Sequence, residues 1–239
     1  MTRLALLSTI GLLGLGLQSG CVFYGGGGQA IGYELEPHTY RQDFGSASGT
    51  VPDVDCSVNA GLCAGIPHPP STTTTCDTTT LRCVVIAEVR QVQTVSLASE
   101  PNFPTAVISA VSIKARVDSA TYWGTNGTPL ATPPIEIYVG PENAQREDSA
   151  GVTRFGTVAS IPAQSGTNCR AGTPGTRESA CSVDITSQGS DALARLANDF
   201  RTPFSILVVA RITLRGGDPV PNGVLELSVS PRVSFTIGG

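Results

Sequence analysis

The chain has 239 residues, of which 14% are charged, and its 19 acidic and 15 basic residues leave a net charge of −4. Its 27 glycines and 17 prolines together stay below the share of about a quarter that is typical of low-complexity chains. The low charge argues against the highly charged class of disordered protein. A single lysine, Lys114, leaves no basic stripe for nucleic acid and no polybasic tract for anionic lipid, so nucleic acid is not a predicted partner.

The first twenty residues carry the pattern of an export signal. Arg3 supplies a positive charge ahead of an uncharged apolar run over residues 4–17. That run is too short for a membrane-spanning helix, which needs about 20 apolar residues, but it has the length of the apolar core of a signal peptide. Two small residues then precede Cys21. We therefore predict a signal peptide over 1–20, whose removal makes Cys21 the first residue of the mature chain.

Residues 1–21 resemble a bacterial lipoprotein precursor. Ser19, Gly20 and Cys21 match the last three positions of the lipobox of that family, whereas Gln18 departs from its aliphatic first position. The resemblance implies that the Cys21 sulfur receives a diacylglyceryl group and that its freed amine is acylated in turn. The mature protein would then carry three acyl chains of the palmitate class, which are enough for stable membrane anchoring.

The resemblance also implies a location. Val22 follows the acylated cysteine, in place of the aspartate that retains such lipoproteins in the inner membrane. We therefore expect placement in the outer membrane, on its periplasmic or its surface face, with the membrane itself as a partner through the acyl chains. The alternative is an ordinary signal peptide cleaved nearby, which would release a secreted protein with Cys21 as an odd cysteine.

The remaining chain divides into three predicted segments. Four glycines at 25–28 and a Gly/Ser-rich stretch at 45–49 indicate a flexible tether over 21–52, because glycine has no side chain to bury. Residues 53–83 form a Cys-rich segment in which we expect disulfides to replace an apolar core. Residues 84–239 are predicted to form the folded domain.

Six cysteines remain when Cys21 is set aside, and an even number in an exported chain indicates disulfides. The connectivity stays open, although the short C-x11-C spacing favours a bridge between Cys169 and Cys181. A zinc site would prefer ligands two to four residues apart with histidines nearby, and the chain has only two histidines, so no metal is predicted. The disulfide candidates are Cys56, Cys63, Cys76, Cys83, Cys169 and Cys181.

From residue 83 onward the hydrophobic pattern is that of β-structure. Apolar and polar residues alternate over 111–118 and 135–139, and again over 225–237, as in strands with one buried face. Residues 204–210 are apolar on both faces and predict a central strand. Pro231 interrupts the last alternating stretch, which we interpret as two strands or as one kinked edge strand.

One short helix is predicted among these strands. Leu193, Leu196, Ala197 and Phe200 follow helical spacing and form a single apolar stripe, with Ser187 or Ser190 as the predicted N-cap and Pro203 beyond the end. The whole pattern predicts an all-β protein, an antiparallel β-sandwich of seven to eight strands with one short helix, preceded by a disulfide-rich segment and a flexible tether.

The search for chemistry finds no catalytic motif. The sequence contains no HExxH, no GxSxG and no P-loop, so neither a catalytic residue nor a cofactor is predicted. The candidate ligand-binding residues are Tyr122, Trp123 and Asn126, because aromatic residues beside loops of a β-sandwich can stack sugars. The alternative is that Trp123, the only tryptophan, is buried and closes the core.

Three functions of different class follow. We favour a lipid-anchored envelope protein that acts as a structural or interaction module, without catalysis and with a protein or glycan partner of the cell envelope. The second is a carbohydrate- or peptidoglycan-binding lipoprotein, which requires an exposed Trp123. The third is an envelope hydrolase, which would need carboxylates with perturbed pKa values, such as Glu142, Glu147 or Asp148, to converge in a pocket.

Overall fold

In the part of the chain that the structure describes, two antiparallel sheets pack as a β-sandwich with one short α-helix, as the sequence predicted. The structure is a computed structural model that describes residues 30–68, 72–100, 103, 113–166 and 182–237. Within these ranges it has eleven strands, more than the seven to eight predicted. The additional strands are short ones, which either precede the predicted domain or comprise only two residues.

The strands fall into two sheets. The first has the order β1-β11-β5-β8, with β2 also paired to β11, and the second has the order β3-β4-β10-β6-β7-β9. In chain order the strands are β1 (Ala30–Glu34), β2 (His38–Asp43), β3 (Thr72–Asp77), β4 (Arg82–Val95), β5 (Ile113–Asn126), β6 (Ile135–Pro141), β7 (Thr153–Val158), β8 (Ser165–Gly166), β9 (Asp184–Ile185), β10 (Phe204–Leu214) and β11 (Val224–Ile237).

The core lies between the two sheets, where alternate residues of the long strands point inward. On β10 the inward residues include Phe204, Ile206 and Val208, and on β11 they include Val233 and Phe235, all at most 3% exposed. The reverse face of β10 is also buried, which agrees with its sequence being apolar on both faces. Because the strands contribute apolar side chains over their full lengths, the burial of this layer is the main stabilising contribution.

Pro231 lies within β11, a single strand in the interior of the first sheet, so both alternatives of the prediction, two strands or one kinked edge strand, are wrong. On one side it pairs with β5, and on the other with β2 up to Val229 and with β1 from Arg232. Pro231 therefore lies opposite the break between β1 and β2, where its carbonyl accepts a hydrogen bond from the Leu35 amide at 2.9 Å. At this position the missing N–H of proline costs no ladder hydrogen bond on that side.

The first two strands correct the boundary of the predicted tether. Residues 30–34 and 38–43 pair with β11, and Leu35, Tyr40 and Phe44 bury their side chains. This part of the predicted 21–52 tether is therefore an ordered part of the sandwich. Its strands are short and flanked by glycine and proline, so their sequence resembled a linker, and only pairing with the distant C-terminal strand orders them. The four glycines at 25–28 lie outside the described residues.

The helix α1 (Ser187–Asn198) packs its apolar stripe onto β5, β6 and β7. Its N-cap is Thr186, whose side chain accepts a hydrogen bond from the Gly189 amide at 2.9 Å, and neither predicted serine has this role. Gly189 lies directly on strand β7: a Cβ there would come within 2.4 Å of the Phe155 Cα. The helix therefore closes one side of the sandwich, as its pattern predicted.

Candidate functional site

Two disulfides staple the segment that precedes β4. Cys56 bonds Cys76, and Cys63 bonds Cys83, with Cα–Cα distances of 5.9 and 5.3 Å. Each bridge joins the irregular chain before β3 to the β3–β4 hairpin, in which Cys76 and Cys83 are directly opposite. We call this unit, residues 53–68 and 72–83, the disulfide tip. These four candidate cysteines thus have a defined connectivity, whereas Cys21, Cys169 and Cys181 lie outside the described residues.

The hairpin turn of the disulfide tip is organised by Asp77. Its carboxylate accepts hydrogen bonds from the Thr79 amide at 2.9 Å and from the Thr80 hydroxyl at 3.0 Å. These bonds hold the pKa of Asp77 below its ordinary value, so the group is ionised. The turn ends at Leu81, whose φ of 56° lies in the left-handed region and whose carbonyl accepts from the Cys56 amide at 3.0 Å.

The disulfide tip displays apolar side chains to solvent. Val58 is 94% exposed, Leu62 is 51% exposed and Leu81 is 47% exposed. Within the part of the chain that the structure describes, no other large apolar side chain is exposed to this degree. Sequence reasoning missed these three residues, because each is a single large apolar residue in a short irregular stretch or turn, where hydrophobic periodicity has no signal.

Acidic groups belong to the same unit as these apolar side chains. Asp53 and Asp55 lie 3.6 and 4.0 Å from the guanidinium of Arg82, and Asp77 is at the hairpin turn. Hydrogen bonds from Ser57, together with the nearby arginine, keep the pKa of Asp55 below its ordinary value. Three aspartates against one arginine give the disulfide tip a net charge of −2 with histidine neutral.

The disulfide tip and Ala30 lie at opposite ends of the sandwich. Ala30 pairs with Thr236 near the C-terminal end of β11, whereas the hairpin extends beyond Leu214, the last residue of β10. The turn that connects β10 to β11 leads from this second end back to Val224. Since Thr236, the partner of Ala30, follows Val224 by 12 residues of β11 at about 3.3 Å each, the two ends are about 40 Å apart.

The three predicted ligand-binding residues are in strand β5, and only one of them reaches the surface. Tyr122 is 7% exposed and Asn126 1% exposed, because both point into the core. The Asn126 amide donates to the carbonyls of Leu130 and Ile161, at 2.7 and 3.2 Å, so its polar atoms are used within the protein. Trp123 faces outward, is partly exposed and lies opposite Ser228 of β11.

The acidic residues weighed for a hydrolase are held in ion pairs. Arg90 lies 2.8 Å from the Glu147 carboxylate, and Arg211 contacts the same carboxylate. Partial burial acts to raise the pKa of Glu147, but backbone hydrogen bonding and the two arginines outweigh it, so its pKa is below the ordinary value. Such a carboxylate is a poor general acid, because it stays ionised.

The other two acidic candidates are at the surface. Asp148 forms an ion pair with Arg146 at 3.0 Å, and hydrogen bonding from this arginine lowers the pKa of Asp148. Glu142 is exposed. No pair of these carboxylates is therefore poised as an acid and a base within the described loop.

A second polar cluster occurs between the end of β4 and the first strands. Glu100 is 8% exposed at its side chain and lies 3.6 Å from His38 Nε2, and it accepts a hydrogen bond from the Tyr33 hydroxyl at 3.4 Å. Burial lowers the pKa of His38, against the opposing attraction of Glu100. The sequence placed His38 in a tether, whereas in the structure it is the first residue of strand β2 and its side chain is mostly buried.

Three of the tip cysteines bring their sulfurs within 4.8 Å of one another. All three are in disulfides, so they offer no thiolate to a metal ion. Among the helices of the described ranges, none is long and apolar enough to cross a membrane.

Comparison with known proteins gives no relative from which a function can be transferred. No family model matches the chain, and no curated protein matches it. Among solved structures, a chain of Desmodium yellow mottle tymovirus is similar at a TM-score of 0.21 and 13% identity, over 99% of this chain and 96% of that chain. A TM-score this low carries no argument about fold or function.

Proposed function

We propose that this protein is a lipid-anchored module of the bacterial envelope, held in the outer membrane through acylated Cys21, and that it acts by binding a partner without catalysis. The observation that carries the proposal is the placement of Ala30 and the disulfide tip at opposite ends of the sandwich. An anchor before Ala30 would leave the stapled end pointing away from the bilayer.

Chain length supports this arrangement. Ala30 is nine residues after Cys21, which allows at most about 30 Å of fully extended chain. The predicted tether is therefore much shorter than the 32 residues from 21 to 52. The sandwich itself, at about 40 Å, then contributes most of the distance between the membrane and the disulfide tip.

The non-catalytic part of the proposal is supported by the state of the candidate acids. Glu147 and Asp148 are ion-paired and have lowered pKa values. An open depression of about 310 Å³ borders Glu136 and Arg154, which are themselves paired at 3.2 Å. Residues arranged in this way stabilise a surface more readily than they transfer protons.

The test is the intact mass of the protein extracted from membranes, with and without reduction. We expect a chain that begins at Cys21 and carries acyl chains, and that gains two hydrogens for each disulfide on reduction. A Cys21→Ser variant serves as the control and should lose the acyl mass. A soluble, unacylated wild-type product would overturn the anchor and place the protein in the secreted fraction.

A second candidate function is glycan binding through Trp123. Its outward, partly exposed position in strand β5 favours this alternative. An aromatic ring at the surface can stack a sugar ring. Binding on a glycan array that is lost in Trp123→Ala would support it, and equal binding by the variant would remove it.

A further inference from the structure

The disulfide tip exposes apolar side chains to solvent on a backbone that two disulfides constrain. Isolated exposed apolar residues are common on protein surfaces and need no explanation. Here, however, Val58, Leu62 and Leu81 all belong to one short unit that is closed by two disulfides. The two disulfides constrain the backbone here, and the buried part of the unit is supplied by Ile66 and its bridged cysteines, so the three exposed side chains add nothing to that buried part.

Leu81 provides a second, independent observation. Its φ of 56° is a conformation that suits glycine or asparagine and is strained for a bulky side chain. Leucine at this position gains little from burial, since 47% of it is exposed. Neither backbone preference nor core packing accounts for a leucine here, and strained residues of this kind concentrate at binding sites.

Charge narrows the kind of partner. The tip as a whole is acidic, with Asp53, Asp55 and Asp77 against Arg82, and the lowered pKa values of Asp55 and Asp77 keep both of them ionised. A second copy of the same tip would bring like charges together, which disfavours self-association. A bilayer is disfavoured as well, because the tip is about 40 Å from the end that carries Ala30.

We propose that the disulfide tip docks a protein partner that presents apolar side chains bordered by lysine or arginine. The exposed Val58, Leu62 and Leu81 would fill its apolar centre, and the aspartates would pair with its basic border. The inference rests on the proposed function, because it is the membrane-anchored orientation that turns this end toward other envelope proteins.

The experiment measures binding of two labelled probe peptides of equal length, one built from leucine and lysine and the other from leucine and glutamate. The protein is the mature chain purified from cells with its disulfides intact, in nanodiscs of zwitterionic lipid if it is acylated and in buffer if it is not. We expect saturable binding of the Leu/Lys peptide, weakened by added salt, and none of the Leu/Glu peptide.

The deciding variant carries Val58→Ser, Leu62→Ser and Leu81→Ser, which leave every charge in place. We expect it to weaken Leu/Lys binding by about tenfold or more. Leu81→Gly alone should weaken binding in part while suiting the left-handed backbone better, which guards against a result due to misfolding. Thr236→Ala, an exposed substitution at the opposite end, is the matched control and should bind as the wild type does.

Several results would overturn the proposal. Unchanged binding by the triple variant would mean that the peptide is attracted by net charge alone. Equal binding of both peptides, self-association that the triple variant abolishes, or insertion of the tip into zwitterionic vesicles would each assign the surface to a different occupant. The intact mass tests the anchor separately, so an unacylated protein that binds the Leu/Lys peptide would refute the proposed anchor and leave the docking surface standing.

Discussion

The sandwich body and the disulfide tip are stabilised in different ways. In the body, Phe235, Val233 and Leu193 are completely buried, and removal of apolar surface from water stabilises the fold. In the tip, Val58 is 94% exposed and two disulfides hold the chain instead. The body therefore uses its large apolar residues for folding, whereas the tip buries Ile66 but leaves Val58, Leu62 and Leu81 available for contact.

This difference separates stability from function within one chain. A disulfide limits the conformations of the unfolded chain, so a short segment can be ordered without a core of its own. Substitutions in the body should accordingly change global stability, and substitutions of the exposed apolar residues of the tip should change binding alone. Four predictions test this division, beginning with the largest expected effect.

Replacing a buried aromatic residue should damage the body severely. Phe235 is fully buried, and its ring packs edge-to-face against that of Phe103, with 5.6 Å between the ring centroids. We expect Phe235→Ala to lower the free energy of unfolding by about 3–5 kcal/mol, because it removes buried area and leaves a cavity. Urea unfolding measures this effect, with the exposed Thr236→Ala as control at about 0.5 kcal/mol or less. A loss below about 1 kcal/mol would contradict the assignment of Phe235 to the core.

Removing one staple should act locally. The Cys56–Cys76 bridge closes a loop with a sequence separation of 20. Because it lowers the entropy of the unfolded chain, a bridge over a loop of this length is expected to stabilise the folded state by about 3 kcal/mol. In Cys56→Ser with Cys76→Ser we expect faster amide exchange over residues 53–83 and unchanged protection in β10 and β11. Hydrogen exchange read by mass spectrometry separates the two regions. Loss of protection throughout the sandwich would show that the tip is part of the global folding unit.

Gly189 tests how closely helix α1 packs on strand β7. Helix propensity alone predicts that Gly189→Ala stabilises by about 1 kcal/mol. The added Cβ would, however, lie 2.4 Å from the Phe155 Cα and 2.5 Å from its carbonyl oxygen, both of them backbone atoms. We therefore expect a destabilisation of about 1–3 kcal/mol, with the exposed Gln188→Ala as a near-neutral control. A stabilised Gly189→Ala would mean that the helix does not pack this closely on β7.

The smallest effect concerns the polar cluster at the sandwich edge. The pKa of His38 is lowered mainly by burial, so the unfolded chain binds a proton there more readily than the folded protein does. The contribution of neutral His38 to folding stability is fully present above 6.5, the pKa of histidine in the unfolded chain. It is lost as the pH falls through the lower pKa that His38 has in the folded protein. We expect wild type to lose more stability than His38→Gln between about pH 7 and about pH 5, as measured by urea midpoints. Equal losses would remove His38 as the cause.

Much of the fold could be predicted because the long strands carry their own signal. Alternation over 135–139 and the apolar run from 204 matched β6 and β10 closely, since side-chain period and burial coincide there. The N-terminal strands could not be predicted in the same way. Their pairing partner, β11, is nearly 200 residues away, and a short polar strand has no pattern that distinguishes it from a linker.

The candidate site, too, could be predicted from the sequence only in part. Cysteine number and spacing predicted that residues 56–83 would be stapled, but four cysteines in a row permit several pairings, and the hairpin geometry selected one. Trp123 and Asn126 stood close together in sequence. In strand β5 they point to opposite faces, because side chains alternate along a strand and the positions differ by an odd number.

The sequence by itself determined the all-β class, the single helix, the cysteine-stapled segment and the expectation of a lipid anchor. These depend on local composition and periodicity, which each segment carries alone. Only the tertiary structure decided that residues 30–43 belong to the sandwich, that the stapled segment lies at the end opposite Ala30, and that Val58, Leu62 and Leu81 remain exposed there. Exposure depends on what packs against a residue, and segments that are far apart in the sequence decide it.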